Sequence, residues 1–375
     1  MQLPVDIPAV LKAATDIEAA AKTPLSVSVL IDDSAPGDCV GHVRSAFAST
    51  GAHTRVTIGY LDAEPVQPHE GDDFAVLVAG TSDFIGAQAA RLRDAGTPVM
   101  VATTLPSLVH DIAEASGFPI PAGDICAPGG AEVPSAVRRT LDKVLGRSPD
   151  PAALDPAADV AEAVQADEEP ALLTEEAADA LDLRMGEWIC DAVPDKKLAC
   201  ALAFPFVRRP LAHESINATS LQNAAVGAAP IIPGADMPIM TLNQMKMLLQ
   251  IAAAYGQPLN AQRIKELAAV LGGAFVLRNV ARSAAGLVPV LGWAVRGAVG
   301  FAGTEAMGRI AIEYFEAGGD LVGLASVVQT GSATAAKAVQ TAAATPAGGA
   351  AISAAKGAAA RAFQLLRGSG KQGAR

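Results

Sequence analysis

The chain has 375 residues, of which 51% are hydrophobic and only 4% are aromatic, and its formal net charge is −11. This length allows two domains, and the hydrophobic content excludes a wholly disordered protein. The negative charge argues against nucleic acid as a partner held by simple electrostatic attraction.

The first 147 residues read as strands that alternate with helices. Apolar runs at strand spacing occupy residues 25–31, 53–61, 72–80 and 97–104. Helical periodicity occupies residues 37–49, 84–95, 107–116 and 132–145. Because alternating strands and helices form parallel sheets covered on both faces, we predict a three-layer, Rossmann-like α/β domain over residues 1–147.

The loop after the first strand is the first place to look for nucleotide binding, since ligands of such folds lie beyond the carboxyl ends of the strands. This loop reads DDSAPGDCVGHVRS, residues 32–45. A phosphate loop requires GxxxxGK[ST]. Gly37 and Gly41 are one residue too close together for this motif, and His42 and Val43 stand where lysine and the hydroxyl residue would follow. The loop therefore lacks the phosphate-binding pattern.

Two further nucleotide signals are also missing. The loop AGTSD, residues 79–83, lacks the DxxG order of a magnesium and phosphate switch, and VATTLP, residues 101–106, lacks the guanine-reading NKxD. The sequence thus argues against GTP or ATP binding, and more strongly against hydrolysis.

Other catalytic and metal-binding patterns are absent from the sequence as well. Asp32, Asp33 and Asp38 either supply loop polarity and helix capping or share a site. There is no GxSxG elbow, and the four cysteines form no CxxC pair. The five histidines are scattered singly. We therefore predict no catalytic residue, no metal site and no cofactor, in a cytoplasmic protein with reduced thiols.

Charge is segregated along the rest of the chain. Residues 148–183 contain eleven acids and no lysine or arginine, whereas residues 321–375 contain six bases and no acid. This pattern predicts an acidic disordered linker followed by a basic, alanine-rich tail. The tail is either solvated, bound to an anionic membrane surface, or folded back on the linker.

Between them, residues 184–320 are predicted to form a helical domain. In IIPGADMPIMTLNQMKMLLQIAAAYG, residues 231–256, Thr241 is predicted to cap a helix, with Gln244 completing a capping box. Gly256 would end that helix, and a second helix is predicted over residues 260–271. Asp236 precedes the predicted cap and either bonds nearby amides or contacts another element.

A glycine-rich segment follows, and it allows two interpretations. Residues 284–304 carry one charge, Arg296, but Pro289 and several glycines argue against a single-pass membrane helix. Alanines at every fourth position, 294, 298, 302 and 306, predict a second helix packed closely against this one. The pair is either soluble or peripheral, or partly inserted in the membrane. Arg296 and Glu305 are placed at polar margins, unless Arg296 faces a buried carboxylate, for which Asp236 is the candidate.

Three stretches together resemble a known family. IPGADMPIMTLNQMKMLLQIAAAYG, GLVPVLGW and GTEAMGRIAIEYFEAGGD are similar to a bacterial domain of unknown function, number six hundred and ninety-seven. The likeness covers roughly residues 195–320. Members of that family occur beside or fused to Era-like GTPases and are often predicted to contact the membrane. The resemblance implies that the α/β domain is a degenerate GTPase-like domain.

The sequence therefore predicts a non-catalytic scaffold or membrane-peripheral interaction protein. Its partners would be another protein or a second copy, bound through the small-residue helices, and an anionic membrane surface. The alternative is a nucleotide-binding switch or GTPase-like enzyme that uses a non-standard loop after the first strand.

Overall fold

The computed structural model describes residues 6–48, 51–129, 173–228, 236–262 and 292–321, together with positions 264, 265, 267, 323 and 324. These residues fall into two compact units. The sheet unit contains residues 20–48, 51–129 and 173–211, and the helical unit contains residues 6–19 and the described residues from 212 onward.

The sheet unit is built on five parallel strands in the order β2-β1-β3-β4-β5. The strands are β1 (Leu25–Asp32), β2 (Thr54–Leu61), β3 (Phe74–Val78), β4 (Val99–Ala102) and β5 (Ile125–Cys126). The helices between them are α2 (Gly37–Ala46), α3 (Ile85–Asp94) and α4 (Pro106–Ala115), and α1 (Ile7–Ala21) precedes the first strand. The predicted α/β architecture is confirmed, and its order is one of the two common orders of doubly wound sheets.

Both faces of the sheet are covered, as parallel sheets require. On one face, Ala75 and Leu77 pack in a cluster with Ile85 and Leu92 of α3 and Val109 of α4. The other face carries an aromatic group. Phe74 of β3 contacts Phe47, which directly follows α2, and also Trp188, while Phe47 contacts Phe204 and Phe206.

Trp188 belongs to α5 (Glu175–Ala192), a helix that extends into the stretch predicted as linker. Thr174 caps the start of the helix, and its hydroxyl accepts a hydrogen bond from the amide of Ala177. Glu175 and Glu176 lie in its first turn, where negative charge stabilises a helix. Leu181, Met185 and Ile189 are buried on one face. Glu175 and Glu176, which were predicted to lie in a disordered linker, are therefore part of the first turn of a helix.

The boundary between the two units also differs from the predicted one. α5, α6 (Lys197–Ala203) and the first turn of α7 (Arg208–Ala228) lie in the sheet unit, so residues 184–211 belong with the sheet rather than with the helices that follow. The close packing of α5 explains this assignment. A Cβ added at Gly186 would lie 2.6 Å from Cγ of Pro210.

The helical unit contains most of α7, α8 (Asp236–Ala254) and α9 (Gly292–Glu316). α8 contacts α9, and Gly308 of α9 lies directly against Ile216 of α7. A Cβ on Gly308 would lie 2.2 Å from Cγ1 of Ile216, so a small residue allows close helix packing at this point. Among the described residues, no helix has the length and hydropathy needed to cross a membrane.

Several predicted segments lie outside the described residues. They include the helix at 132–145, residues 148–172 of the linker, residues 284–291 and the tail from 325 onward. The predicted helix at 260–271 is described only in part, and its described positions from 261 to 267 are helical.

Candidate functional site

The carboxyl ends of β1 and β3 lie side by side, at the point where the strand order reverses, and a single carboxylate joins them. Asp32 is the last residue of β1 and is only 1% exposed. Its Oδ2 accepts hydrogen bonds from the amide of Gly80 at 2.9 Å and from Oγ of Ser34 at 2.7 Å. Its Oδ1 accepts from Oγ of Ser82 at 2.7 Å and from the amide of Ser34 at 3.1 Å. The loops after β1 and β3 are thus tied together by Asp32.

The charged form of Asp32 is stabilised by these neighbours. Burial works against the charge, but the hydrogen bonds from Ser82, Ser34 and Gly80 together outweigh it and hold the pKa of the carboxyl below its ordinary value. The carboxyl is therefore a weak base, because a lowered pKa reduces its capacity to take a proton.

The two loops also touch through their backbones. A Cβ added at Gly80 would lie 2.3 Å from the backbone carbonyl of Ser34 and 2.5 Å from the amide nitrogen of Ala35. Glycine is required here because the loop after β3 approaches the loop after β1 so closely. In addition, the amide of Thr81 donates to Oγ of Ser34 at 2.8 Å. At Gly80 and Ser34, the backbones of the two loops are therefore in direct contact, at the edge of the sheet where a doubly wound fold commonly binds its ligand.

The other two acids of the first loop have separate positions. Asp33 is exposed, so the structure does not bring it into the Asp32 cluster. Asp38 lies in the first turn of α2 and accepts hydrogen bonds from the amides of Leu173 and Cys39, with Leu173 the main reason that its pKa is lowered. The structure therefore does not bring the three aspartates into one site. The prediction of loop polarity fits the exposed Asp33 alone, because Asp32 is buried between two loops, Asp38 binds Leu173, and α2 has no side-chain cap.

The thiols near this edge are not reactive groups. Burial raises the pKa of the Cys39 and Cys126 thiols to about 12. At the end of β4, Thr103 is completely buried, and its hydroxyl accepts a hydrogen bond from the amide of Leu105. Nucleophilic catalysis requires a thiolate or an activated hydroxyl, and these residues supply neither.

His42, which stands at the lysine position of a phosphate loop, contacts a different partner. Its Nε2 lies 2.7 Å from Oδ1 of Asp182 on α5. The hydrogen bond to Asp182 raises the pKa of His42. His42 therefore joins α2 to α5 across the second face of the sheet, and neither the histidine nor this contact was predicted as functional.

Thr241 and Gln244 lie elsewhere, within α8 of the helical unit. α8 begins at Asp236, so Thr241 is inside the helix and the predicted capping box is wrong. The reason is that Pro238 is tolerated in the first turn of a helix, which lets the helix start before the predicted cap. Gln244 instead donates from Nε2 to Oγ1 of Thr304 at 3.0 Å.

Thr304 is shared by two amides. Nδ2 of Asn223 on α7 also donates to Oγ1 of Thr304, at 3.0 Å, and Nδ2 of Asn243 donates to Oδ1 of Asn223 at 3.1 Å. These four residues form a polar layer inside the helical unit, and sequence reasoning missed it because Gln244 was interpreted as a capping residue. Fully paired polar layers favour one arrangement of helices over its alternatives.

The remaining predicted residues do not form a site in the described structure. Glu305 pairs with Arg309 on the same helix, with Oε1 at 2.6 Å from Nη2. The backbones of Asp236 and Arg296 are described as helical, but their side chains lie outside the described residues. The pairing of Asp236 with Arg296 therefore stays a prediction.

Within the described ranges, one group of side chains has the spacing of metal ligands. The ligand atoms of His110, Asp111 and Glu114 on α4 lie within 4.8 Å of one another. Asp111 and Glu114 are exposed, and such groups are common on helix surfaces without an ion.

Comparisons with protein-family models, with curated proteins and with solved structures found no match for this chain. The resemblance to the bacterial domain therefore stays a prediction.

Proposed function

We propose that this protein is a non-catalytic scaffold whose sheet unit is a degenerate GTPase-like domain. The observation that carries this proposal is the Asp32 carboxylate, which accepts four hydrogen bonds from the loops after β1 and β3. In a nucleotide-binding α/β protein, backbone amides at this edge bind phosphate. Here the amides of Ser34 and Gly80 donate to the carboxylate of Asp32 instead.

Charge supports the same conclusion. A phosphate placed beside Asp32 would meet an ionised carboxylate whose pKa is already lowered. Two like charges in contact at a buried position repel each other strongly. In addition, His42 occupies the lysine position and is held by Asp182. The proposed role is therefore structural: the small-residue helices bind another protein, and the basic tail adds affinity for an anionic membrane surface.

The test is nucleotide binding by the full chain. A Trp293→Phe background leaves Trp188 as the only tryptophan, and its fluorescence reports unfolding of the sheet unit. We expect no shift in the thermal midpoint with millimolar GTP or ATP and magnesium, and no release of phosphate.

An upward shift with either nucleotide would overturn the proposal. The alternative would then be a nucleotide switch with a non-standard loop after β1. Replacing His42 with alanine would locate the site, because only binding at that loop would be weakened by this change.

A further inference from the structure

The two edge strands of the sheet differ greatly in length. β5 has two residues and packs against α5, whereas β2 has eight residues and, among the described residues, pairs only with β1. The outer side of an edge strand presents unpaired amide and carbonyl groups, which bind another strand. β2 is therefore the open edge of the described sheet.

β2 has few of the features that usually prevent edge pairing. Its sequence, TRVTIGYL, contains no proline and no lysine, and all eight residues continue the register with β1 without a bulge. Its one charged residue, Arg55, is turned to its own unit, where Nη2 donates to Asp72 at 3.0 Å. The edge is thus both long and uninterrupted.

An apolar row lies along β2. Val56, Ile58 and Tyr60 pair in register with Val27, Val29 and Ile31 of β1, so they share one face of the sheet. Ile58 is 43% exposed and Tyr60 is 66% exposed. β-Branched and aromatic side chains stabilise sheets chiefly through cross-strand pairs of this kind. The row therefore has the composition of a strand that is paired on both sides.

The charges that flank β2 select the direction of pairing. The strand begins with a cation, Arg55, whose side chain is 46% exposed beside Asp72, and it is followed by two exposed acids, Asp62 and Glu64. When two copies pair antiparallel, the basic start of each strand lies beside the acidic end of the other. Parallel pairing would bring like charges together instead.

We propose that β2 pairs antiparallel with β2 of a second copy of this chain, in a register centred on Ile58. This register places Ile58 opposite Ile58 and Tyr60 opposite Val56, all on the same face. It sets Arg55 opposite Leu61, so no like charges face each other. The result joins the five described strands of each copy into one continuous sheet across a twofold axis. The site differs from the small-residue helices that the sequence suggested for self-association, and it does not depend on the loss of nucleotide binding.

Sedimentation of the full chain over a range of concentrations tests the association. The wild-type chain is expected to form a dimer, and Ile58→Lys should convert it to a monomer because two lysines would face each other in the pair. Leu108→Lys is the matched control, since Leu108 is 40% exposed on α4 of the same unit. That variant should remain dimeric. The thermal midpoint of each variant shows that the fold is retained.

A cysteine at position 58 tests the register. Opposite residues of antiparallel strands have Cα atoms about 4.5 to 5.5 Å apart, which lies within the range that a disulfide spans, so Ile58→Cys should form a disulfide-linked dimer under mild oxidation. Leu108→Cys should not. The four native cysteines are buried and do not compete.

Three results would overturn the proposal. The first is a wild-type chain that stays monomeric at every concentration, and the second is a dimer that survives Ile58→Lys. The third is equal crosslinking of the two cysteine variants, which would mean that the copies meet without a fixed strand register.

Discussion

Carboxylates join β1 to β3 at both ends of the sheet, one buried at the carboxyl end and two partly buried at the amino end, but their hydrogen-bond donors differ. At the carboxyl end, Asp32 is bound by two amides and two hydroxyl groups, all neutral. At the amino end, Asp72 accepts from the hydroxyls of Ser26 and Ser28 and from Arg55, while Asp73 accepts from the amide of Ser26 and pairs with Lys196. The amino end therefore depends partly on ion pairs and the carboxyl end does not.

This difference separates two ways of stabilising a carboxylate. The cations at the amino end reach it through long side chains, and Lys196 is about one third exposed, so water and salt weaken that pair. The amides at the carboxyl end are fixed by the backbone and cannot turn to water when the carboxylate is removed. We therefore expect the loss of Asp32 to cost more than the loss of a cation at the amino end.

The largest effect is expected from Asp32→Ala. The change leaves the amides of Gly80 and Ser34 without their acceptor, and the free energy of unfolding of the sheet unit should fall by about 3 kcal/mol. Denaturant unfolding, followed by Trp188 fluorescence in the Trp293→Phe background, measures this value.

The matched control is Asp33→Ala, which removes an exposed carboxylate from the next position. Its effect should stay within about 0.5 kcal/mol, the usual range at the surface. Equal effects of the two variants would mean that the Asp32 cluster does not hold the loops together.

A second prediction concerns α5, whose C-terminal end leads the chain to Lys196 at the amino end of the sheet. Gly186→Ala should destabilise the sheet unit by about 1 to 3 kcal/mol, because the added Cβ would lie 2.6 Å from Cγ of Pro210 and 3.0 Å from the carbonyl oxygen of Phe206. The same unfolding experiment applies.

The control for Gly186→Ala is a glycine-to-alanine change that is expected to increase the free energy of unfolding. Gly41 lies in α2 with open space around its missing Cβ, so Gly41→Ala should stabilise by about 0.5 to 1 kcal/mol through helix propensity alone. If Gly186→Ala also stabilised the protein, α5 would not be packed against Pro210 and Phe206 as described.

Some elements of the sheet unit could be predicted from the sequence and others could not. The strands β1 to β4 were predictable because their apolar runs are long and separated by helical periodicity. α5 was not, because its acids, such as Glu175 and Glu176, were interpreted as linker charge and its packing partners lie far away in the chain. β5 has only two residues, which is too short for a periodic signal.

The Asp32 cluster was only partly predictable. The position of the loop after β1 could be predicted from the apolar strand that precedes it, and the absence of a phosphate-binding motif was visible in the sequence. However, the acceptor role of Asp32 depends on Gly80 and Ser82, which are about fifty positions away. Only the parallel pairing of β1 with β3 brings these residues together.

A smaller effect is expected at the amino end. Lys196→Met removes the charge next to Asp73 and keeps most of the side-chain volume, so the cost should be about 0.2 to 1 kcal/mol. Added salt should reduce the difference between wild type and variant, because exposed ion pairs are screened. The effect of Asp32→Ala should change little with salt. If both effects depended equally on salt, the contrast between neutral and ionic donors would fail.

The smallest effect is expected from the contact of His42 with Asp182, which joins α2 to α5. The hydrogen bond to Asp182 raises the pKa of His42 above its ordinary value of 6.5. The protonated form therefore stabilises the folded state. This contribution is complete below about pH 6.5 and is lost as the pH rises through the folded pKa. His42→Gln should cost about 0.5 kcal/mol at pH 6 and less at pH 8.

The control for this last prediction uses the other carboxylate that faces the same histidine. Asp179 also favours protonation of His42, but through charge alone. Asp179→Asn should lower the pKa of His42 less than Asp182→Asn does, and NMR titration of the imidazole measures both changes. If neither substitution changed the titration, or if the cost of His42→Gln were the same at both pH values, His42 would join the helices by packing alone. The charge of His42 would then contribute nothing to the contact between α2 and α5.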